Sequence, residues 1–131
     1  MRRDSNDVKW REVKEKVLQR DRSCRLCKIL SPQEYSILRK NAGALLFTLD
    51  PAHYLPVGQY PELCYKSYNI CLLNRFSHSM LDSYKNPITS TSITKEEVQN
   101  WWLRILKGDL AQYNYLKEKG LINDTSTQSK V

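Results

Sequence analysis

Residues 69–82 read NICLLNRFSHSMLD, and the predicted fold is centred on this segment. Its first part, residues 69–73, is a short apolar run with the length of one β-strand. Over residues 75–85 the apolar side chains recur at spacings of three and four, which predicts a helix that stops at Asn86-Pro87. A strand that leads directly into a helix is therefore expected here.

The residues upstream supply a partner for that strand. The apolar run ALLFTL, residues 44–49, has the length of a strand and ends at Asp50-Pro51. Residues 57–68 carry glycine, proline and several tyrosines without a clear period, which predicts a loop. Together these segments predict a strand–loop–strand–helix unit over about residues 44–86.

Helices are predicted on both sides of this unit. Residues 8–20 place apolar side chains at helical spacing among lysine, arginine and glutamate. A capping box, Thr94–Glu97, begins a helical extension over about residues 94–119, which Gly108 divides into two pieces. The sequence therefore predicts a central strand–loop–strand–helix unit with helices packed around it.

Length and composition predict a single domain, and the predicted strands and helices give it the α+β class. A chain of 131 residues with 40% hydrophobic residues can fold but is too short for two domains. The domain is expected over residues 1–123, and the polar residues 124–131 are expected to be a flexible tail. The state of residues 31–43 is left open, with a turn of helix as one option.

The net charge of +7 is concentrated near the start of the chain, because residues 1–28 hold ten Lys or Arg and five Asp or Glu. Such an excess favours a polyanionic partner such as nucleic acid, although a solvated helix face has the same composition. No apolar run approaches the ~20 residues that span a bilayer, and no signal-peptide pattern follows the N-terminus. A cytoplasmic protein without a membrane partner is therefore expected.

Four cysteines without a secretory signal predict reduced thiols rather than disulfides. Cys24 and Cys27 have the spacing of a metal knuckle, but two thiolates alone cannot complete the tetrahedral shell of zinc. Cys64 and Cys71 could complete it, although their spacing is not that of a knuckle and Cys71 lies within a predicted strand. A structural zinc is left open, with four buried or half-buried thiols as the alternative.

The two histidines of the chain lie at the edges of the strand–loop–strand–helix unit. His53 follows the first predicted strand, and His78 is four residues before Asp82 on the predicted helix, so the latter two share a face. An imidazole and a carboxylate in this arrangement can hold one divalent cation. Taken singly, His53 is more typical of a structural residue, and His78 with Asp82 of an ordinary surface pair.

In this order and spacing the residues resemble the HNH, or ββα-metal, nucleases. The resemblance covers about Trp10 to Asp82 and includes VLQRD followed by CRLC (residues 17–27) and AHYLP (residues 52–56). Asn69 then follows His53 by sixteen residues and precedes His78 by nine. The resemblance implies a ββα-metal (His-Me finger) core, formed by an antiparallel hairpin and a helix, in an enzyme that nicks or cuts DNA.

The resemblance also assigns a role to each site residue. His53 would be the general base that deprotonates the attacking water, and Asn69 would hold the His53 segment and its imidazole. His78 and Asp82 would bind the cation, Mg²⁺ first, with Mn²⁺ or another divalent ion as alternatives. The cation would stabilise charge on the phosphate and on the departing 3′ oxygen, which leaves a 5′ phosphate.

The sequence departs from this family pattern at two places. Ala52 stands where many members carry an Asp or His that binds the metal. Asp50 is the nearest carboxylate, but along an extended segment it lies on the face opposite to His53 unless Pro51 turns the chain. Asp50 or water is therefore left as the substitute. Residues 74–77 read NRFS where members with a structural zinc have their second Cys-x-x-Cys.

Contacts to nucleic acid, double-stranded DNA in the first place, are predicted at four arginines, with solvated surface charge as the alternative. Arg75 lies at the start of the predicted helix, and Arg20, Arg22 and Arg25 belong to the basic N-terminal segment. The tryptophans and tyrosines of the C-terminal helices could stack on bases, but core packing is more typical of their helical spacing.

Two other functions remain open at this level. The absence of a ligand at Ala52 would also suit an HNH scaffold that binds nucleic acid or a protein without cutting it. A nuclease for structured RNA or branched DNA would have the same sequence features, because phosphate contacts carry no sequence information. By analogy, the small size suits a phage-encoded or mobile-element nuclease that acts in the host cytoplasm.

Overall fold

The computed structural model describes residues 4–122, and these residues form an α+β fold. In chain order the elements are α1 (Asp4–Asp21), α2 (Pro32–Ala42), β1 (Leu49–His53), β2 (Ile70–Asn74), α3 (Arg75–Asp82), α4 (Lys95–Leu106) and α5 (Leu110–Glu118). The strands pair antiparallel, with Leu49 opposite Asn74 and His53 opposite Ile70. The predicted α+β class is therefore confirmed, whereas the predicted tail, residues 124–131, lies outside the described residues.

Hydrogen bonds reach β2 from both sides, although β1 is its one partner strand in the described part of the chain. Leu72 lies opposite Pro51. The Leu72 amide donates to the Asp21 carboxylate at 2.9 Å, and its carbonyl accepts from the Arg25 amide at 2.8 Å. Because both groups of Leu72 point away from β1, the N–H that Pro51 lacks is not needed at this position. The segment after α1 thus covers the outer side of β2.

The first strand lies later in the chain than the sequence predicts, which is a correction. The apolar run at residues 44–49 predicts a strand, but Gly43–Phe47 form a 3₁₀ helix and the strand is β1. Leu46 is buried while Phe47 is 80% exposed, so part of the apolar run has no surface to pack against. The position of the first strand is set instead by its pairing with β2. As a result, β1 includes Asp50 and Pro51, where the sequence predicts that the first strand ends.

The helices follow the predicted pattern more closely. The N-terminal helix and the two C-terminal helices are confirmed as α1, α4 and α5, and Gly108 lies between α4 and α5. A capping box between Thr94 and Glu97 begins α4, and the undecided segment forms α2 behind a capping box of Ser31 and Glu34. Within residues 4–122, no helix combines the length and apolarity needed to cross a membrane.

The sheet packs between two apolar clusters. The smaller cluster joins α1 to the sheet through Val13, Val17, Ile70 and Leu72. The larger cluster joins the sheet to α2, α3, α4 and α5, and its fully buried members include Leu38, Leu73, Leu81, Ile105, Leu106 and Leu116. Trp102 and Tyr113 are buried in this cluster, which confirms core packing for these two aromatic residues.

Candidate active site

His53 lies at the end of β1, and two contacts fix its ring. The Trp10 ring of α1 stacks on it, with ring centroids 5.7 Å apart and ring planes 16° apart. The Nε2 atom lies 2.9 Å from the carbonyl oxygen of Cys64. Because a carbonyl oxygen can only accept a hydrogen bond, Nε2 carries the proton and Nδ1 has the lone pair. The ring is thus held in the tautomer whose Nδ1 can accept a proton.

Asn69 is fully buried and holds the backbone that follows His53. Its Oδ1 accepts from the Leu55 amide at 2.9 Å, and its Nδ2 donates to the Leu55 carbonyl at 3.1 Å. The sequence predicts that Asn69 holds both this segment and the imidazole; the structure divides the two tasks, since the carbonyl of Cys64 bonds the imidazole. The sequence missed this partner because a backbone carbonyl carries no side-chain signal.

His78 on α3 lies between two carboxylates. Its Nε2 is 3.4 Å from Asp82 Oδ2 one turn later, and its Nδ1 is 3.2 Å from Asp50 Oδ2 on β1. Asp50 also accepts a hydrogen bond from Arg75 at 3.0 Å. Arg75, and after it His78, hold the pKa of Asp50 below its usual range despite partial burial, so this carboxylate is ionised at neutral pH. The register of β1 and β2 brings these four side chains together.

The His78–Asp82 pair fits a divalent cation. When Nδ1 of His78 donates to the ionised Asp50, the lone pair of Nε2 faces the Asp82 carboxylate. Two acceptors that face each other repel, and a proton or a cation between them removes this repulsion. Ligands at adjacent corners of an octahedron with bonds of about 2.0–2.1 Å lie about 3 Å apart, close to the 3.4 Å measured here. Asp50 contacts Nδ1 of His78, on the other side of the ring from Asp82. A carboxylate at this position orients the imidazole of a metal-binding histidine.

The number of protein ligands at this pair is small. Among residues 4–122, no group of three or more His, Cys, Asp or Glu side chains converges on one metal position. His78 and Asp82 would therefore supply two ligands, and water or phosphate oxygens would supply the others, as is common for Mg²⁺. Ala52, at the position where the sequence comparison expects a further ligand, is fully buried and has no ligand atom in its side chain.

His53, His78 and Asp82 line one cleft of about 320 Å³. Residues of α4 form its other wall, among them Lys95 and Gln99. A histidine at a strand end and a His–Asp pair on the next helix therefore open into the same space. Lys95 was not identified from the sequence, because nothing in its local pattern separates it from any lysine in the first turn of a helix.

No family model, curated protein or solved structure matches the chain. The chemistry of the cleft is therefore inferred from its own side chains. These include a histidine in a fixed tautomer, a second histidine between two carboxylates, and a lysine on the facing wall. A proton acceptor and a His–Asp pair with the spacing of two cation ligands open into this cleft, and hydrolysis of a phosphate ester uses groups of these kinds.

Cys24 and Cys27, the residues of the predicted zinc knuckle, contact Asn74. The Asn74 amide and its Nδ2 each lie 3.2 Å from Cys24 Sγ, and Nδ2 lies 3.6 Å from Cys27 Sγ. Cys71 contacts Gln112 instead, at 3.8 Å. Among residues 4–122, no three cysteines come together in a group that could hold a metal ion, so the structure does not bring together the four thiolates of a zinc site.

Hydrogen bonding gives the cysteines different acidities. The hydrogen bond from Cys27 lowers the pKa of the Cys24 thiol to about 6 against the cost of burial, and Asn74 adds to this effect. The same bond between the two thiols raises the pKa of Cys27. Burial raises the pKa of Cys71 to about 11, so Cys71 stays protonated at neutral pH.

The four arginines predicted to contact nucleic acid lie in different surroundings. Arg25 is only 4% exposed and donates to Gln112 at 2.7 Å, and the side chain of Arg20 is 26% exposed and donates to the Ser67 carbonyl at 2.9 Å. The prediction is corrected for Arg25, because a guanidinium buried inside the fold cannot reach a phosphate. Arg20 keeps a partly exposed side chain, so its contact to nucleic acid stays a prediction. Arg22 is exposed, and Arg75 is 53% exposed next to the cleft.

Proposed function

We propose that the chain is a metal-dependent endonuclease that hydrolyses DNA phosphodiester bonds in the cleft lined by His53, His78 and Asp82. The observation that carries this proposal is that the three side chains open into one space while the His53 tautomer is fixed. In this proposal β1, β2 and α3 are the ββα-metal core of an HNH nuclease. A two-stranded antiparallel hairpin that runs directly into a short helix supports it.

His53 acts as the general base. Its Nδ1 takes a proton from a water molecule, the water oxygen attacks phosphorus, and the bond from phosphorus to the 3′ oxygen breaks. The Cys64 carbonyl stabilises the imidazolium that forms, because it accepts the Nε2 proton throughout the step. Trp10 and Asn69 keep the ring and its backbone in place, so the proton acceptor does not have to be reoriented during the reaction.

His78 and Asp82 hold the divalent cation, and Asp50 orients the His78 ring through Nδ1. The cation, when bound, supplies electrostatic stabilisation of the charge on the phosphate and on the leaving oxygen. Arg75 balances the charge of Asp50 and lies at the edge of the same group of side chains. An imidazole among the ligands favours transition ions such as Mn²⁺ beside Mg²⁺.

The substrate is double-stranded DNA in this proposal. Lys14 Nζ lies 6.0 Å from the Trp10 ring that stacks on His53. Lys9 Nζ lies 5.8 Å from the ring of Tyr65, which packs against the same apolar cluster as Trp10. Exposed lysines beside the general base supply contacts to a phosphate backbone. Structured RNA offers the same phosphates, so it belongs in the substrate panel as a competing outcome.

The test is cleavage of supercoiled plasmid by the full chain with Mg²⁺ or Mn²⁺, with and without a chelator. We expect nicked or linear product that depends on the metal and is lost in His53→Ala. His53→Ala purified in the same way is also the control for a contaminating nuclease. Equal signals from wild type and His53→Ala would reject the enzyme.

A second candidate is a scaffold of the same fold that binds nucleic acid without cutting it. The observation in its favour is that the cleft offers two protein ligands, with Ala52 where a third is expected. Tight duplex binding together with no turnover in Mn²⁺ would select this function. Binding that needs no divalent ion at all would distinguish it further from the nuclease.

A further inference from the structure

The Cys24–Cys27 pair and Asn74 form a closed hydrogen-bonded unit apart from the cleft of His53. Asn74 is fully buried, and its Nδ2 donates to both sulfurs, at 3.2 and 3.6 Å. Its Oδ1 accepts from the amide of Ser77 at 2.8 Å and thereby caps α3. One side chain therefore joins the two thiols to the first turn of the helix that carries His78.

The same two cysteines are accessible from a second cleft of about 320 Å³. Its wall also includes Lys28, Tyr35 and Phe47. Cys24 is 4% exposed, whereas Cys27 is half-buried and lies at the start of a 3₁₀ turn. A small reagent can therefore approach the pair through this cleft without unfolding of the domain.

We propose that Cys24 and Cys27 are a reversible thiol–disulfide site that controls the order of α3. The oxidant is a low-molecular-weight disulfide. One thiolate of the pair attacks a sulfur of that disulfide, which releases the first small thiol and leaves a mixed disulfide. The second cysteine then displaces the other small thiol and forms the Cys24–Cys27 bond. Two thiols are oxidised, one disulfide is reduced, and the two protons leave with the two released thiols.

Oxidation removes the acceptors on which Asn74 depends. A disulfide draws its sulfurs to about 2.0 Å from each other and fixes their dihedral angle, and a disulfide sulfur accepts hydrogen bonds less well than a thiolate. Because Asn74 has no exposure to water, its Nδ2 has to move to find new partners. Its Oδ1 moves with it, which weakens the cap at Ser77, one residue before His78.

The chemistry of the thiols is tested with the full chain in glutathione buffers of graded ratio of oxidised to reduced form. Free thiols are trapped by alkylation and located by peptide mass spectrometry. We expect a Cys24–Cys27 disulfide that forms and reverses with the ratio, while Cys64 and Cys71 stay alkylatable after denaturation and so serve as internal controls. In Cys27→Ser we expect a mixed disulfide with glutathione at Cys24. Failure of the 24–27 bond to form in the folded chain would overturn the proposal.

The coupling to α3 is tested by hydrogen exchange, which needs no enzymatic activity. In the oxidised protein we expect the Ser77 amide and its neighbours in α3 to exchange at least several-fold faster, with amides of α4 unchanged. Asn74→Ala should show this faster exchange already when reduced and should not respond to oxidation. Equal exchange in reduced and oxidised wild type would refute the coupling.

The consequence for catalysis rests on the proposed nuclease function. We expect plasmid cleavage to fall on oxidation of wild type and to remain constant in Cys24→Ala/Cys27→Ala. A chain that never cleaves DNA would reject the nuclease and leave the exchange result standing. A chain that cleaves DNA equally in both redox states, with unchanged exchange, would reject the switch and leave the nuclease standing.

Discussion

Helix α3 carries two polar clusters of opposite character, one at its N-cap and one along the following two turns. At the start, Asn74 is fully buried, and its amide nitrogen, Nδ2 and Oδ1 all have partners within the fold. One and two turns later, the side chains of His78 and Asp82 are 27% and 69% exposed and face a cleft. A buried polar group is stable only with all its partners, whereas an open pair keeps sites free for a ligand. Substitutions in the first cluster should therefore change stability, and substitutions around the cleft should change chemistry.

The largest effect should come from His53. In His53→Ala we expect kcat for plasmid cleavage at saturating Mn²⁺ to fall by two to four orders of magnitude, the usual contribution of a general base. Loss of the stack on Trp10 should cost about 1 kcal/mol of unfolding free energy. Cleavage kinetics and urea unfolding measure the two quantities. If His53→Ala loses activity because the protein unfolds, residues at the cleft would not differ from the buried cluster in affecting chemistry rather than stability.

Asp50 tests the orientation of the cation ligand. In Asp50→Asn we expect the affinity for Mn²⁺ to fall about 10- to 100-fold, because the amide no longer fixes the Nδ1 proton of His78 as a carboxylate does. Titration with Mn²⁺ followed by electron paramagnetic resonance gives the affinity without any substrate. Asp82→Ala is the matched variant and should lose at least as much. Unchanged Mn²⁺ binding in both variants would exclude this pair as the metal site.

The placement of side chains could be predicted from the sequence where residue type and spacing both carry the signal. His78 and Asp82 share a helix face because they are four residues apart, and this spacing survives a shift of the helix end from residue 85 to Asp82. The first strand could not be placed, because its position depends on pairing with β2 and not on its own apolar run. The sequence suggests Cys64 only as a thiolate ligand and does not reveal its contact with His53, because the backbone carbonyl and not the thiol makes that contact.

The buried arginine shows a similar limit. A count of charges near the N-terminus treats Arg25 and Arg22 alike, yet Arg25 is buried beside Asp21 at 3.1 Å while Arg22 is exposed. The partner of Arg25 in the C-terminal helix is Gln112, which lies 87 residues away in sequence. Local patterns cannot reveal a contact between residues so far apart in sequence. The sequence therefore predicts nucleic-acid contacts for Arg25 and Arg22 alike.

Asn74 tests the buried cluster directly. In Asn74→Ala we expect a loss of unfolding free energy of about 1–3 kcal/mol, since a helix cap and the bonds to two sulfurs disappear together. Thr94→Ala is the matched control, because it removes the N-cap of α4 without any thiol contact and should cost about 1 kcal/mol. Urea unfolding under reducing conditions measures both. Equal losses would mean that the sulfur contacts contribute nothing beyond the cap.

The smallest effect belongs to a third polar group, at the surface. Glu34 completes the capping box of α2, and its carboxylate accepts from Arg104 at 2.7 Å. The bond from Arg104, and after it the Ser31 amide, lower the pKa of Glu34 to about 2. Since glutamine also completes a capping box, Glu34→Gln removes the charge and keeps the cap. We expect a loss of about 0.2–1 kcal/mol at pH 7, the usual value of a partly exposed pair.

The lowered pKa of Glu34 predicts how the difference in unfolding free energy between wild type and Glu34→Gln depends on pH. The pKa of Glu34 is lower in the folded state than in the unfolded chain, so its contribution is complete above the unfolded value of about 4.3. It disappears as the pH falls from there toward about 2, where the folded carboxylate takes up its proton. Thermal unfolding of wild type and Glu34→Gln at pH 7 and at pH 2 should therefore differ at the first pH and converge at the second. When Arg104→Ala is added to both proteins, their stabilities should differ less at pH 7. A difference in stability between wild type and Glu34→Gln that persists at pH 2 would mean that the helix cap and not the charge of Glu34 causes it.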